Sequence, residues 1–288
     1  MSDTRSSTSS CCAAADEPAQ ARSADEVRQA IRESYARVAR ASDAGDGCGV
    51  EAGCCGVADD EQITMLISTR LGYSEADLDF VPEGADMGLG CGNPRAIASL
   101  RPGETVLDLG AGGGFDCFLA AAEVGDEGRV IGVDMTPDMV SKARANAERG
   151  KFANVEFRLG EIENLPVADG VVDVIISNCV INLSPDKPRV FAEAFRVLKP
   201  GGRLAISDVV ATVDIPDEIR NDPQMLSGCM GGAALIEDLE AMLAAAGFEN
   251  IAIEPKDESK EFIRDWAPGT NITDYVVSAT IEAQKPAA

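Results

Sequence analysis

Apolar and polar positions follow two rhythms along the chain. Val27, Ile31, Tyr35 and Val38 recur at helical spacing behind Ser23 and Glu26, which are placed as a capping box, and predict a helix over 24–41. Short apolar runs at Thr105–Leu107, Arg129–Asp134, Val155–Leu159, Val172–Ser177 and Arg203–Val209 read as strands. Helical patterns separate them, one beginning at Phe118 and others over 137–149, 191–198 and 235–246; KPGG and Gly247 end the last two. Phe248–Pro255 and Tyr275–Ala283 alternate like a closing antiparallel hairpin. Strand–helix alternation on short links predicts an α/β fold, a doubly wound, mostly parallel sheet of seven strands. Before it, 62–103 reads as short helices and turns, with helix starts near Ser74 and Pro94. The expected divisions are a disordered polar tail at 1–22, a helix with cysteine-bearing loops at 23–103, a core at 104–213 and a C-terminal part at 214–288.

Composition narrows the classes. An apolar content of 45% in 288 residues supports a large core. No run approaches the ~20 apolar residues of a membrane span. The N-terminus lacks a basic region followed by an apolar one, so the expectation is a soluble cytoplasmic protein with no membrane partner. A formal net charge of −24 repels phosphate backbones and argues against nucleic acid as a partner. Basic residues are mostly arginine, and the acidic, lysine-poor balance suggests adaptation to salt, which screens self-repulsion.

The stretch TVLDLGAGGGFD, from Thr105 to Asp116, is where a strand breaks into glycines and re-forms as a helix. Such a turn exposes bare backbone N–H groups to a ligand. Phe115 stands where a dinucleotide fingerprint needs its third glycine, and a P-loop lysine is absent. What remains, Asp108 with Gly110, Gly112 and Gly114, resembles the first motif of class I methyltransferases, which bind S-adenosylmethionine. In that reading Asp108 faces the positive charge of the cofactor. Asp134 ends the second strand 24 residues beyond Gly110, where a carboxylate commonly accepts from ribose hydroxyls. Met135, Glu161 and Ile162 are candidate neighbours of the adenosine, and Asn178 ends the fourth strand at the same cleft.

Nine cysteines occur without a single histidine. The usual general base and the usual zinc ligand are therefore missing. Cys91, Cys179 and Cys229 sit in three separate loops, and Cys48, Cys54 and Cys55 in a glycine-rich N-terminal one. Cys117 falls inside a helix and reads as core filler. Thiols gathered from distant segments suit a soft ion held by three thiolates, such as trivalent arsenic.

Over residues 24–256 the chain resembles the arsenite S-adenosylmethionine methyltransferases, through GLGCGNP at 88–94, VLDLGAGGGFDCFLAA at 106–121, VIGVDMTPDMV at 130–140, ISNCVINLSPDK at 176–187, GGRLAISDVV at 201–210 and SGCMGGA at 227–233. The resemblance implies Cys91, Cys179 and Cys229 as arsenic ligands, with a further one from the N-terminal loop that Cys54 or Cys55 matches. It also implies S-adenosylmethionine as cofactor, arsenite as a thiol complex for substrate, mono- and dimethylated arsenicals as products, and thioredoxin or glutathione as reductant. The alternatives are a methyltransferase for another small metabolite and a non-catalytic arsenic or metal sensor. For the salt adaptation, the urea midpoint should rise with KCl concentration; equal stability in dilute buffer would contradict it.

Overall fold

Seven strands hydrogen-bond into one sheet in the computed structural model of the chain, which describes residues 23–44 and 61–287. They are β1 (Thr105–Leu109), β2 (Arg129–Asp134), β3 (Val155–Leu159), β4 (Val172–Asn178), β5 (Leu198–Ala211), β6 (Glu249–Lys256) and β7 (Val276–Gln284). The spatial order is β3-β2-β1-β4-β5-β7-β6. The first five run parallel, and β7 is antiparallel to both β5 and β6.

β1 and β4 are buried along nearly their whole length, as central parallel strands covered on both faces must be. Alternate residues feed two layers. Leu107, Leu109, Ile131 and Ile175 pack with Phe191 of α7 (Lys187–Val197) and Leu239 of α10 (Ile236–Ala246). Val106, Val130, Val174 and Ile176 pack with Phe118 of α5 (Phe115–Val124) and Val140 of α6 (Pro137–Gly150). A third cluster gathers Cys91, Val209, Met230 and Val276 around Ile263 of α11 (Lys260–Trp266). Four helices precede the sheet: α1 (Ala24–Ala44), α2 (Glu61–Arg70), α3 (Glu75–Phe80) and α4 (Arg95–Ala98). Two short ones, α8 (Asp217–Arg220) and α9 (Pro223–Ser227), follow β5. Among the described residues no helix is long and apolar enough to cross a membrane.

The expected elements are present, with shifted edges. α5 begins at Phe115 rather than Phe118, because Gly114 at φ +94° turns the chain straight into the helix. α7 begins at Lys187 because the Asp186 side chain accepts from Arg189 N at 3.1 Å and proline sits in its first turn. The final two strands pair antiparallel, yet they are not a hairpin. The segment between them carries α11, and β7 lies inside β6 in the sheet. One sheet therefore runs across the expected division at 213/214. The tail at 1–22 and Cys48, Cys54 and Cys55 lie outside the described residues.

Phe118 holds α5 to the sheet. It is fully buried, stacks on Phe152 at 4.6 Å between ring centroids and meets Phe157 edge-on at 5.8 Å. Phe118→Ala should lower stability by about 3–5 kcal/mol, read as a fall in the urea midpoint.

Candidate active site

The strand order reverses between β1 and β4, and ligands in open α/β sheets bind outside the carboxyl ends at such a point. A cavity of about 140 Å³ opens there. Five acids line it, Asp86, Asp108, Asp116, Asp134 and Glu163, with Arg28 the cation among the lining residues.

The β1–α5 turn forms its floor. Gly110 has φ +72°, and a Cβ there would lie 2.3 Å from Val180 Cγ2, so only glycine fits. Gly110, Ala111, Gly112 and Gly113 line the cavity. Gly114 does not; a Cβ on it would meet Phe157 and Phe118, which makes it a packing glycine. Asp134 accepts from Gly112 N at 3.0 Å and Thr136 N at 2.8 Å, one bond per oxygen. A carboxylate has roughly four acceptor sites, so room remains for a diol. Met135 and Ile162 form an apolar wall nearby. Glu161 is not in the wall: it is drawn outward to Arg28 and Arg32 of α1, while Glu163 lines the cavity and binds Arg28 at 3.0 Å and Ser184 Oγ at 2.8 Å.

Deeper in, Asp108 is buried and accepts from the Cys117 thiol at 3.2 Å, so Cys117 is more than filler. Asp116 accepts from Tyr73 Oη at 2.7 Å. Burial pushes Asp108 well above the ordinary carboxylate range, reinforced by the charge of Asp116. Burial likewise lifts Asp116 to about 6 and raises Asp134. Desolvation wins at these acids; for Asp116 the nearby Arg95 offsets it only in part. A ligand with a sulfonium, an ammonium group, a ribose diol and an apolar base matches acid, backbone and apolar wall in turn. The residues present fit S-adenosylmethionine.

Cys179 and Cys229 line one side of this cavity, and Cys91 is buried next to Cys179, outside the lining. Cys179 immediately follows β4, Cys91 lies in the loop before α4, and Cys229 follows α9. The Cys91 and Cys179 sulfurs and a carboxylate oxygen of Asp208 lie within 4.8 Å of one another. Cys229 Sγ donates to Cys179 O at 2.6 Å. Cys179 N donates to Ser207 O at 2.8 Å, and Cys91 Sγ approaches the same oxygen at 3.5 Å. Cys179 and Cys229 both have left-handed backbones, φ +60° and +64°. Burial lifts the Cys91 thiol to about 11. The hydrogen bond from Cys229 favours a Cys179 thiolate, but Cys91, burial and Asp208 outweigh it, and Cys179 ends well above the usual thiol range. Cys229 is raised through its bond to Cys179, then by burial.

Asp116, Tyr73, Glu163 and Asp208 were not singled out by sequence reasoning. Asp208 could have been found by the rule that picked Asp108 and Asp134, since it too is an acid toward the carboxyl end of a strand. It is buried, is lifted by burial to about 6, and accepts from Ile181 N, Asn182 Nδ2 and Val209 N at 2.8–2.9 Å.

A methyltransferase-domain family model matches residues 100–247. The arsenite methyltransferase of Halobacterium salinarum is 55% identical over 271 residues, 92% of this chain and 68% of that protein. The arsenite methyltransferase of Aquipseudomonas alcaligenes is 48% identical over 58% of this chain and 50% of its own length. The chain thus spans about two thirds of the first relative and half of the second. Among solved structures, CrArsM, an arsenic(III) S-adenosylmethionine methyltransferase from Chlamydomonas reinhardtii, aligns with a TM-score of 0.58 at 33% identity, covering 77% of this chain and 73% of that one.

The raised Asp116 has a signed consequence. Its neutral form is favoured on folding, so its contribution to stability is full below about pH 4 and is lost as pH rises through about 6. The stability of the parent chain relative to Asp116→Asn should therefore increase by about 2 kcal/mol between pH 7 and pH 4. Urea midpoints of both proteins across that range test it, and a pH-independent difference would refute it.

Proposed function

Because the chain belongs to the arsenite methyltransferase family, we propose that it transfers the methyl group of S-adenosylmethionine to trivalent arsenic held by Cys91, Cys179 and Cys229, giving mono- and then dimethylated arsenicals. The observation that carries this reading is the approach of the Cys91 and Cys179 sulfurs to within 4.8 Å, with Cys229 Sγ on the Cys179 carbonyl, beside a carboxylate-lined cavity.

The raised thiols suit loading of the substrate. Arsenous acid exchanges three hydroxyls for three protonated thiols and releases three waters, so no net charge has to be buried. Arsenic held by three sulfurs keeps its lone pair. Gly110–Gly113, Asp134 on the ribose side and Asp108 and Asp116 on the cationic side would hold S-adenosylmethionine, whose electrophilic methyl group would pass to that lone pair as its bond to the sulfonium breaks and S-adenosylhomocysteine leaves. The chain contributes position and exclusion of water. No proton has to leave the acceptor, which is consistent with a chain that has no histidine. A methyltransferase acting on a hydroxyl or amine would need such a base. Cys54 or Cys55 serves as a further arsenic ligand, and a cytoplasmic thiol reductant such as thioredoxin or glutathione supplies the two electrons that return methylated arsenic from the pentavalent to the trivalent state before a second transfer, and keeps the cysteines competent.

Cys179→Ser or Cys229→Ser should reduce arsenite methylation at least about a hundredfold while S-adenosylmethionine affinity stays within about threefold; mass analysis of products from arsenite, labelled cofactor and a thiol reads the first, titration calorimetry the second. Unchanged activity in both variants would refute the thiol assignment. Asp134→Ala should weaken cofactor binding by roughly tenfold to a hundredfold, the worth of hydrogen bonds to a charged acceptor.

A further inference from the structure

We propose that Asn178 is a positioning residue of the thiol site: its side-chain amide grips the Cys91 segment and holds that thiol against Cys179, the next residue in the chain. The proposal rests on the reading of these thiols as arsenic ligands.

The amide bridges two consecutive backbone groups. Asn178 Oδ1 accepts from Cys91 N at 3.0 Å, and Nδ2 donates to Gly92 O at 2.9 Å. Nδ2 also lies 3.1 Å from Tyr73 Oη and 3.3 Å from Asp116 Oδ2. Its two N–H groups are therefore spent on the Cys91 loop and on the Tyr73–Asp116 pair, leaving no donor for a cofactor. Sequence position places Asn178 at the cofactor cleft, but its bonds run to the thiol loop.

The loop needs such a grip. Only the single-turn helix α4 follows Cys91 in its segment, and ordering an irregular backbone costs conformational entropy. Ser207 O, Ser278 Oγ, which donates to Cys91 O at 2.7 Å, and the amide together fix Cys91 to β5, β7 and the end of β4, and the amide alone ties it to the residue before Cys179. Asparagine suits the task because one short planar group both accepts and donates. Aspartate cannot donate and leucine can do neither. Gly90 makes the approach possible, since a Cβ on it would lie 2.9 Å from Nδ2 and 3.1 Å from Oδ1.

Two variants of the full chain separate the outcomes. Asn178→Leu removes the grip, and Gly90→Ala pushes on the amide without removing it. Each is compared with the parent chain in three measurements: iodoacetamide labelling of individual cysteines with and without saturating arsenite, mapped by peptide mass; KM for arsenite; and Kd for S-adenosylmethionine. In Asn178→Leu, Cys91 labelling should speed up about tenfold and escape protection by arsenite, while Cys179 and Cys229 stay protected. The arsenite KM should rise about tenfold and the cofactor Kd stay within about twofold. Gly90→Ala should move the same readouts in the same direction, less far. Protection of Cys91 in Asn178→Leu equal to that of the parent, with KM unchanged, overturns the proposal. So does a cofactor Kd that rises as much as the arsenite KM, which would make the amide a cofactor contact. If arsenite protects no cysteine in the parent chain, the thiol-ligand reading falls and takes this one with it.

Discussion

The parallel pairing of β1, β4 and β5 is the constraint on which the site depends. Leu109 lies opposite Ser177, and Asn178 opposite Ser207, so β1 and β4 end at the level of Ser207 while β5 runs on past them to Ala211. Residues far apart in sequence then share an edge: Asp108 and the glycine turn from β1, Asn178 and Cys179 from β4, Ser207 and Asp208 from β5. A one-residue slip of β4 would turn its buried face to the other side and carry Asn178 away from Cys91. The apolar layers on both faces make that slip costly, since Ile175 and Ile176 fill opposite cores.

Electrostatics follow from this placement. The chain carries a formal charge of −24 and still buries Asp108, Asp116 and Asp208 at the ends or starts of its elements. Burying acids is unfavourable even with hydrogen-bond partners, and their raised pKa values register it. A cationic ligand relieves the strain at Asp108 and Asp116. Asp208 accepts two hydrogen bonds from the turn after Cys179 and one from its own neighbour Val209 N, and has Lys187 nearby. It thereby ties the thiol-bearing turn to β5.

Much of this was legible in the chain. Apolar runs such as Val174–Ile176 are what a strand covered on both faces requires, and Asp134 could be read because it ends such a run. Gly110 and Gly114 look alike in the motif, yet one opens the floor of the cavity and the other makes room for Phe118 and Phe157. That difference depends on what packs across the turn, and spacing does not carry it. Glu161 sits where a cofactor contact was expected, but α1 crosses over and its arginines claim the carboxylate. Asp116 and Tyr73 become a pair only through a contact across 43 residues.

The thiol site also concentrates local strain. Cys179 and Cys229 adopt left-handed φ, a conformation that costs roughly 1–2 kcal/mol for a residue with a Cβ. Both line the cavity, the Cys229 thiol donating to the Cys179 carbonyl, and neither backbone is relieved by a glycine at that position. Ser207 Oγ is buried without a hydrogen-bond partner among the described residues, directly beside the Cys91 loop. A core built only for stability would favour glycine or asparagine at the two left-handed positions. Retaining cysteine there aims two sulfurs at a point that ordinary backbone geometry would not reach. The sheet over-determines the positions of the surrounding segments, and that rigidity is what allows the strain to persist.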